Sequence, residues 1–183
     1  VGLNKTTAHR LLAALESEGC ITRNAISGGY RLGLELVAWG GVALRATDLH
    51  TVARPEMERL AQEAGAAVSL EVLNRGQALV LDEVANRGPA GAPRDMGIRL
   101  PLHATSTGKV LLAYRAPAEI EQQLRLPLAA LTEKTMTAPA QLAQELRQIR
   151  AQGFAVTREE LEVGFVALAA PIYDHTSAVI AAV

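Results

Sequence analysis

The spacing of apolar residues changes along this chain, and that change constrains its fold more than any other feature. Up to residue 64 the apolar side chains recur at helical intervals, which predicts helices. From residue 67 onward, short strand-like runs rich in Val, Leu and Ala alternate with helical segments. Because the first such runs are joined by a tight turn, the pattern predicts an α+β chain with a mainly antiparallel sheet flanked by helices.

A first helix is predicted over residues 4–18. Asn4 is typical of an N-cap, and Gly19 stands where helices commonly end. Residues 1–3 before the helix are typical of the tight turn of a helix-turn-helix, so its apolar stripe is expected to pack on a segment preceding Val1. The stripe consists of residues at i, i+3, i+4 and i+7: Ala8, Leu11, Leu12 and Leu15.

A β-hairpin and two more helices are expected next. Residues 20–23 and 30–32 flank a turn-rich stretch with a Gly-Gly pair, which predicts two short strands. Residues 33–46 predict a helix that Gly40-Gly41 weakens. Residues 48–64 predict a third helix, ended by Gly65 and bent or split at Arg54-Pro55. Its expected inward side chains are Leu49, Val52, Met57, Leu60 and Ala61.

The rest of the chain predicts strands interleaved with three helices. Asn74-Arg75-Gly76 is a hairpin turn between two strands, and residues 86–95 predict a loop because they hold Pro and Gly breaks. The expected strands are 67–73, 77–84, 96–100, 154–157, 166–172 and 178–183, and the expected helices are 106–114, 117–125 and 139–152.

Composition and charge narrow the class of protein. Residues 1–46 hold five basic and three acidic residues, whereas the whole chain has a net charge of −1, so a mildly basic head precedes an acidic body. That asymmetry permits nucleic-acid binding. Cys20 is the only cysteine, which fits a reducing cytoplasm, and no apolar run is long enough to predict a membrane span or a signal peptide. Both ends fall inside motifs, so we expect the chain to be clipped at each end.

The first helix has the residue types of a DNA-recognition helix. Hydroxyls and cations crowd its N-terminal turns, where backbone N–H groups also face phosphates. These candidate DNA contacts are Lys5, Thr6, Thr7, His9 and Arg10, with Arg31 of the hairpin reaching a phosphate or a minor groove. The alternative is an ordinary surface helix with solvated side chains, in which Thr6 and Thr7 only cap the first turn.

Enzyme and metal chemistry find little support in the sequence. Residues 104–108 fall one residue short of a nucleophile elbow around Ser106, with Asp174 and His175 downstream as in a hydrolase triad. Pro101 interrupts the strand that such an elbow needs, and hairpin-joined strands do not make the required parallel sheet. The four histidines lack metal-ligand spacing, and the carboxylates at 159, 160 and 162 are expected to be solvated. We expect no catalytic residue, no metal and no cofactor.

The order of residues resembles the IclR family of bacterial regulators. The matching landmarks lie in order along almost the whole chain: residues 2–12, 15–19, 29–33, 53–55, 60–61, 100–105, 108–109, 153–156, 159–160, 164 and 169–172. The resemblance implies a winged helix-turn-helix at 1–32, a linker helix used for dimerisation at 33–47, and a GAF-like effector-binding domain at 48–183. It implies double-stranded operator DNA, a small-molecule effector and a second copy of the chain as partners, with no membrane.

The resemblance also implies where the effector lies. Transferred position by position, the family's pocket falls on Ser106, Thr107, Thr157, Phe165 and Ala167. The start of a helix with two hydroxyls suits a carboxylate. Thr157 is neutral and Ala167 cannot bond through its side chain, while Phe165 adds an apolar wall, so a partly apolar carboxylate is favoured over a very small oxoacid. The alternative is that Phe165 and Ala167 are simply core.

Two questions stay open at this level. A homodimer is expected because one helix-turn-helix has too little surface for tight specific binding, and a tetramer is also compatible. The proposed seam consists of apolar residues on the linker helix: Leu34, Val37, Leu44 and Trp39. The runner-up function is a helix-turn-helix used for protein interaction, joined to a dimerisation domain that senses nothing.

Overall fold

The computed structural model describes residues 2–45, 48–85 and 96–183. Helices and strands alternate along these ranges, and the predicted α+β class is confirmed. In chain order the elements are α1 (Lys5–Ser17), β1 (Ile21–Arg23), β2 (Tyr30–Leu32), α2 (Glu35–Arg45), α3 (Asp48–Ala64), β3 (Val68–Asn74), β4 (Gln77–Val84), β5 (Arg99–Leu100), α4 (Ser106–Ala113), α5 (Pro117–Leu124), α6 (Pro139–Gln152), β6 (Ala155–Arg158), β7 (Val166–Ala169), β8 (Pro171–Tyr173) and β9 (Val179–Ala182).

The chain divides into two compact units, Val1–Thr51 and Val52–Val183. In the N-terminal unit, β1 and β2 form the predicted antiparallel hairpin after α1. Gly33 ties the end of the hairpin to the end of α1, since its amide donates to the Cys20 carbonyl at 2.8 Å. A Cβ at Gly33 would stand 1.8 Å from the Gly19 carbonyl oxygen, so no other residue fits this close approach.

The C-terminal unit contains a five-stranded sheet of order β5-β4-β3-β9-β8 and a separate pair, β6-β7. The pairings observed in both sheets are antiparallel, as predicted. The β3–β4 hairpin turns at Arg75 and Gly76, both with positive φ, so this predicted turn is confirmed.

Helix α4 lies at the centre of this unit. All of its residues are buried, and it contacts both sheets as well as α6. The surrounding core is aliphatic, with Leu142, Leu146 and Ile149 contributed by α6 and Val80 by β4. Because the chain has few aromatic residues, small and branched side chains fill this core.

Two predicted strands differ from the structure. Residues 166–172 do not form one strand: β7 pairs with β6, and β8 pairs with β9 in the other sheet. The chain changes sheets at Ala170, and the next residue, Pro171, has no N–H and lies on an edge strand, where none is needed. Of the strand expected over 96–100, only Arg99–Leu100 is strand.

Helix α3 is continuous through Pro55, so the predicted split does not occur. Pro55 has no N–H group to donate to the Thr51 carbonyl, so one helical hydrogen bond is missing. Because Thr51 is exposed, water can donate to that carbonyl instead. Met57 and Ala61 are buried as predicted, but Val52 and Leu60 are exposed. The loop predicted over 86–95 lies outside the described residues. None of the described helices is long and apolar enough to cross a membrane.

Candidate functional site

The N-terminal end of α1 presents a polar surface. The Asn4 side chain caps the helix by accepting from the Thr7 amide at 2.8 Å, as predicted for the N-cap. The candidate DNA contacts on this helix are all exposed: Lys5, Thr6, Thr7, His9 and Arg10. Since Asn4 holds the first turn, no threonine hydroxyl is needed as its N-cap acceptor. The helix therefore offers two cations, an imidazole and two hydroxyls to solvent.

Arg31 is fixed on the hairpin by its cross-strand neighbour. Thr22 and Arg31 stand opposite each other, and the Arg31 Nε donates to the Thr22 hydroxyl at 2.8 Å. That bond uses one of the five N–H groups of the guanidinium. The exposed side chain is thus oriented while its terminal nitrogens can still approach an anion.

Apolar side chains remain exposed in the N-terminal unit. Leu11 and Leu15 of the α1 stripe are about half exposed, and whether they pack on a preceding segment stays a prediction. On and beside α2, the exposed apolar residues are Leu34, Val37, Trp39 and Val42, whereas Leu44 is half-buried. Exposed apolar faces of this extent are typical of surfaces that another chain covers.

In the C-terminal unit, two of the predicted effector residues, Ser106 and Thr107, lie at the N-terminus of α4. Thr105 is the N-cap: its hydroxyl accepts from the Gly108 amide at 3.1 Å and donates to the Pro101 carbonyl at 3.0 Å. A Cβ at Gly108 would come within 2.6 Å of the Leu102 Cα, so glycine allows this tight turn. Ser106 and Thr107 follow in the first turn, both buried, where helix geometry leaves the amide groups without intrahelical partners.

Thr107 is held by a buried carboxylate that the sequence interpretation missed. Its hydroxyl donates to the Glu71 Oε2 at 2.6 Å, and Ser69 donates to the Oε1 of the same group at 3.1 Å. Glu71 lies on β3 and is fully buried. The Thr107 hydroxyl therefore does not offer its proton to a ligand here. The Ser106 hydroxyl, by contrast, has no hydrogen-bond partner among the described residues.

Thr157 and Ala167, two further predicted effector residues, lie on the β6–β7 pair of strands. They stand opposite each other on β6 and β7, and α4 contacts both strands. Thr157 is buried and Ala167 is half-buried, on the same face of the ribbon as the buried Ala155 and Ala169. Phe165 is half-buried just before β7, where its carbonyl accepts from the Glu159 amide at 2.7 Å. Five predicted residues thus lie on elements that meet at α4 or in the turn leading to them.

A second buried polar cluster, the Lys109 cluster, consists of Lys109, Glu145 and Glu160. The Lys109 Nζ is fully buried and lies 2.8 Å from the Glu145 Oε2 and 2.7 Å from both Glu160 oxygens. The prediction that the carboxylate of Glu160 is solvated is wrong, because the lysine of α4 draws it inward. The Thr135 hydroxyl also donates to the Glu160 carbonyl at 2.7 Å. Glu159 is only partly exposed and pairs with Lys134.

Aromatic contacts surround Tyr114 at the C-terminal end of α4. The rings of Tyr114 and Tyr173 meet edge to face, with centroids 5.9 Å apart, and the Arg150 guanidinium lies 5.9 Å from the Tyr114 ring centroid. Burial, together with a hydrogen bond to Tyr173, raises the pKa of Tyr114 to about 12. Tyr114 therefore carries a phenol proton well into the alkaline range.

Two shallow grooves open on the C-terminal unit, and neither is lined by the predicted effector residues. One, of about 340 Å³, runs along α6 beside Glu145 and Glu160. The other, of about 190 Å³, lies between α3 and the end of β4. Of the predicted effector residues, Ser106, Thr107 and Thr157 are buried, whereas Phe165 and Ala167 are half-buried.

Two of the residues considered for catalysis or metal binding, Asp174 and His103, make structural hydrogen bonds. Asp174 lies in the β8–β9 turn, where its carboxylate accepts from the amides of Thr176 and Ala178. Its pKa is lowered, chiefly by a hydrogen bond from the Thr176 hydroxyl. The His103 Nε2 lies 2.9 Å from the Ala129 carbonyl oxygen, the structural bond expected for it. Within the described ranges, no group of three His, Cys, Asp or Glu side chains could hold a metal.

The sequence as a whole matches a known class of protein. Residues 41–183 match the family model of the bacterial transcriptional regulator IclR C-terminal domain. A fully buried helix at the centre of two antiparallel sheets is thus the fold of an IclR C-terminal domain, and the class is that of bacterial transcription regulators.

Individual relatives agree with this class. XynR of Escherichia coli, an HTH-type transcriptional regulator, is 34% identical over 183 residues, which cover all of this chain and 73% of that protein. The crystal structure of Thermotoga maritima IclR superposes with a TM-score of 0.77 at 26% identity, covering 98% of this chain and 73% of that one. An IclR homolog from Microbacterium hydrocarbonoxydans, complexed with 4-hydroxybenzoate, has a TM-score of 0.82 at 32% identity. The superposition covers 98% of this chain and 74% of that one. The chain belongs to the IclR family of bacterial transcriptional regulators.

Proposed function

We propose that the chain binds operator DNA through a winged helix-turn-helix and that a small carboxylate effector controls this binding. The assignment divides the chain into a DNA-binding domain at 1–32, a linker helix at 33–47 and a GAF-like effector domain at 48–183. The observation that carries it is the exposed polar surface of α1, on a chain whose relatives regulate transcription. On this proposal the protein is not an enzyme.

The DNA contacts divide into reading and anchoring residues. Arg10 lies on the exposed face of α1, where a guanidinium can bond a base edge, and Lys5 lies in the first turn, where an ammonium meets phosphates. Arg31 on the hairpin approaches the backbone or minor groove, and His9, Thr6 and Thr7 add donors. Base contacts give specificity, whereas phosphate contacts give salt-dependent affinity.

Two substitutions test this division. Arg10→Ala is expected to weaken operator binding by about 1–3 kcal/mol and to relax specificity at one base pair. Lys5→Ala is expected to weaken operator and random DNA alike and to flatten the salt dependence. Arg125→Ala removes a well-exposed arginine of the C-terminal unit and is the matched control. Fluorescence anisotropy at several salt concentrations measures all three. Wild-type affinity in both α1 variants would refute the assignment of α1 and favour a protein-interaction module.

Dimerisation is proposed through α2. Leu34, Val37 and Trp39 are exposed in the single chain, and a second copy would cover them. Paired helix-turn-helix units bind half-sites about one DNA turn apart. Sedimentation at micromolar concentration should show a dimer or a tetramer. A monomer at that concentration contradicts the proposal.

The effector site is proposed at the N-terminus of α4. The Ser106 hydroxyl and the amide groups of Ser106 and Thr107 would bind a carboxylate, favoured by the helix dipole. Thr157, Ala167 and Phe165 would border the rest of the ligand. The 4-hydroxybenzoate in the complex of the Microbacterium hydrocarbonoxydans homolog is a carboxylate of the partly apolar kind expected from these residues.

A thermal-shift screen of carboxylates tests the site. A ligand at 100 times its Kd adds about 2.7 kcal/mol to the free energy of unfolding. For any hit, Ser106→Ala is expected to lose about 1.5–3 kcal/mol of affinity, since it removes a hydrogen bond to a charged group. Ser17→Ala, an exposed serine of α1, is the control. Equal affinity in wild type and Ser106→Ala would place the site elsewhere.

A further inference from the structure

The tip of the β1–β2 hairpin, residues 24–29, carries an aliphatic side chain into solvent. Ile26 is 99% exposed, the highest value among the large apolar residues of the described ranges. The hairpin follows α1 within the same compact unit. A single exposed aliphatic residue is common on protein surfaces, so the surroundings of Ile26 decide what it can do.

The backbone of the tip is held by its own hydrogen bonds. The Asn24 side chain accepts from the amides of Ile26 and Ser27 at 2.9 and 3.0 Å, which makes an Asx turn. The Gly28 amide donates to the Asn24 carbonyl at 2.9 Å. The Gly29 amide donates to the Ser27 hydroxyl at 3.3 Å. Because these four amides are engaged within the tip, what the tip presents to a partner is the Ile26 side chain on an ordered loop.

The two strands below the tip carry one arginine on each face. Thr22 stands opposite Arg31, and Arg23 stands opposite Tyr30. Since successive residues of a strand point to opposite faces, Arg23 and Arg31 lie on opposite faces of the hairpin, and both are exposed. Residues 21–33 contain two Arg and no Lys, Asp or Glu, so this stretch has a charge of +2. That charge is complementary to a polyanion that flanks the hairpin on both sides.

The minor groove of DNA has this arrangement, because two phosphate strands border a groove about 6 Å wide. It also lies next to the major groove, which is where a recognition helix such as α1 is proposed to bind. Small residues surround Ile26, so the tip is slim enough for a narrow groove: Ala25, Ser27, Gly28 and Gly29. Proteins that bind this groove frequently insert an aliphatic side chain between two base pairs, which unstacks them and kinks the duplex.

We propose that Ile26 inserts between two base pairs in the minor groove and bends the operator, with Arg23 and Arg31 each facing one phosphate strand. The inference rests on the proposed DNA binding and adds a contact through which the hairpin selects sequence. Pyrimidine–purine steps kink most easily, so the operator carries a TA or CA/TG step at this point. Ile26 thereby contributes specificity without a hydrogen bond to any base.

The test uses a duplex that the full-length wild-type protein selects from a random-sequence library. Dyes at its two ends measure the bend by energy transfer, and 2-aminopurine in place of the adenine of a TA or CA step measures unstacking. Wild type should bend the duplex by about 20–90° and raise the 2-aminopurine fluorescence. Ile26→Ser should leave the duplex nearly straight and weaken binding on the order of tenfold, the burial of one aliphatic side chain less the cost of unstacking.

Further variants separate the inserted side chain from electrostatic attachment. Ile26→Ser should leave the salt dependence of binding unchanged, whereas Arg23→Ala and Arg31→Ala should each lower the slope of log K against log salt concentration by about one. Ile26→Leu keeps an aliphatic side chain and should retain the bend. Val163→Ser removes a 76% exposed valine of the C-terminal unit and is the matched control, which should bind and bend DNA as wild type does.

Straight DNA in the wild-type complex, or equal bending by wild type and Ile26→Ser, would overturn the inference while operator binding itself stands. If Ile26→Ser instead lowers the oligomeric state in sedimentation and the bend persists, the tip contacts a second copy of the chain, and the inference is again overturned. If the library yields no bound duplex, the proposed DNA binding falls, and this inference falls with it.

Discussion

Removal of the buried ammonium group of Lys109 should destabilise the C-terminal unit more than removal of any surface charge. The side chain is fully buried, while those of Glu145 and Glu160 are 20% and 11% exposed. Lys109→Met fills most of the same volume but leaves two carboxylates facing each other with no cation between them. Breaking a buried pair from one side costs about 3–5 kcal/mol, because a buried charge stays uncompensated.

That loss is large compared with the roughly 5–15 kcal/mol that stabilises a typical domain. It corresponds to a fall in Tm of about 6–20 °C for a chain of this size. Calorimetry or circular dichroism at neutral pH measures it. The matched control is Lys134→Met, which removes a 62% exposed lysine from its pair with Glu159 and should cost at most about 1 kcal/mol.

A triple variant separates lost charge from lost packing. Lys109→Met combined with Glu145→Gln and Glu160→Gln leaves no unpaired charge, and should recover much of the stability of Lys109→Met alone. If Lys109→Met costs less than 1 kcal/mol, or if the triple variant is no more stable than the single one, the electrostatic account of this cluster is refuted.

Three further outcomes follow from the same structure. Gly33→Ala should destabilise the N-terminal unit by at least about 1–3 kcal/mol, because the added Cβ would meet the Gly19 carbonyl. Thermal unfolding measures this loss, and a stability equal to that of wild type would contradict the close approach. Gly40→Ala should instead stabilise α2 by about 0.5–1 kcal/mol, since the space around Gly40 is open; a loss of stability would contradict this. The pKa of Tyr114 in the folded protein lies above its ordinary value of 10.0. Its contribution to the free energy of unfolding is therefore fully present below pH 10 and is lost as the pH rises towards 12. Absorbance titration should show a phase near 12 that Tyr114→Phe removes, and its persistence in Tyr114→Phe would contradict the assignment.

Local signals in the sequence predicted much of the fold. The cap at Asn4, the turn at Arg75-Gly76 and the helix over Pro139–Gln152 depend on neighbouring residues alone, and the structure confirms each of them. The change of sheet at Ala170 was not predictable, because a continuous apolar run does not show which partner strand each half pairs with.

The buried charges escaped the sequence interpretation for a related reason. Along β3, Leu70 and Glu71 are both fully buried, so strict alternation between a buried and a solvent face does not apply. A register shift opposite them lets Leu70 pair with Asp82 but Glu71 with Val80. Lys109 stands next to the apolar run 110–113, a visible signal of burial. Its partners lie 36 and 51 residues away, so only the folded chain identifies them.

The central claim is that a ligand at the N-terminus of α4 controls DNA binding by α1. The most direct measurement is the operator affinity of the full-length protein with and without a carboxylate identified in the thermal-shift screen, for wild type and for Ser106→Ala. The ligand should change the operator Kd of wild type by about 5- to 150-fold, the usual range of allosteric coupling. At the same ligand concentration it should change the Kd of Ser106→Ala much less, while both proteins bind DNA equally without ligand. An equal ligand effect in the two proteins, or none in wild type, would contradict the account.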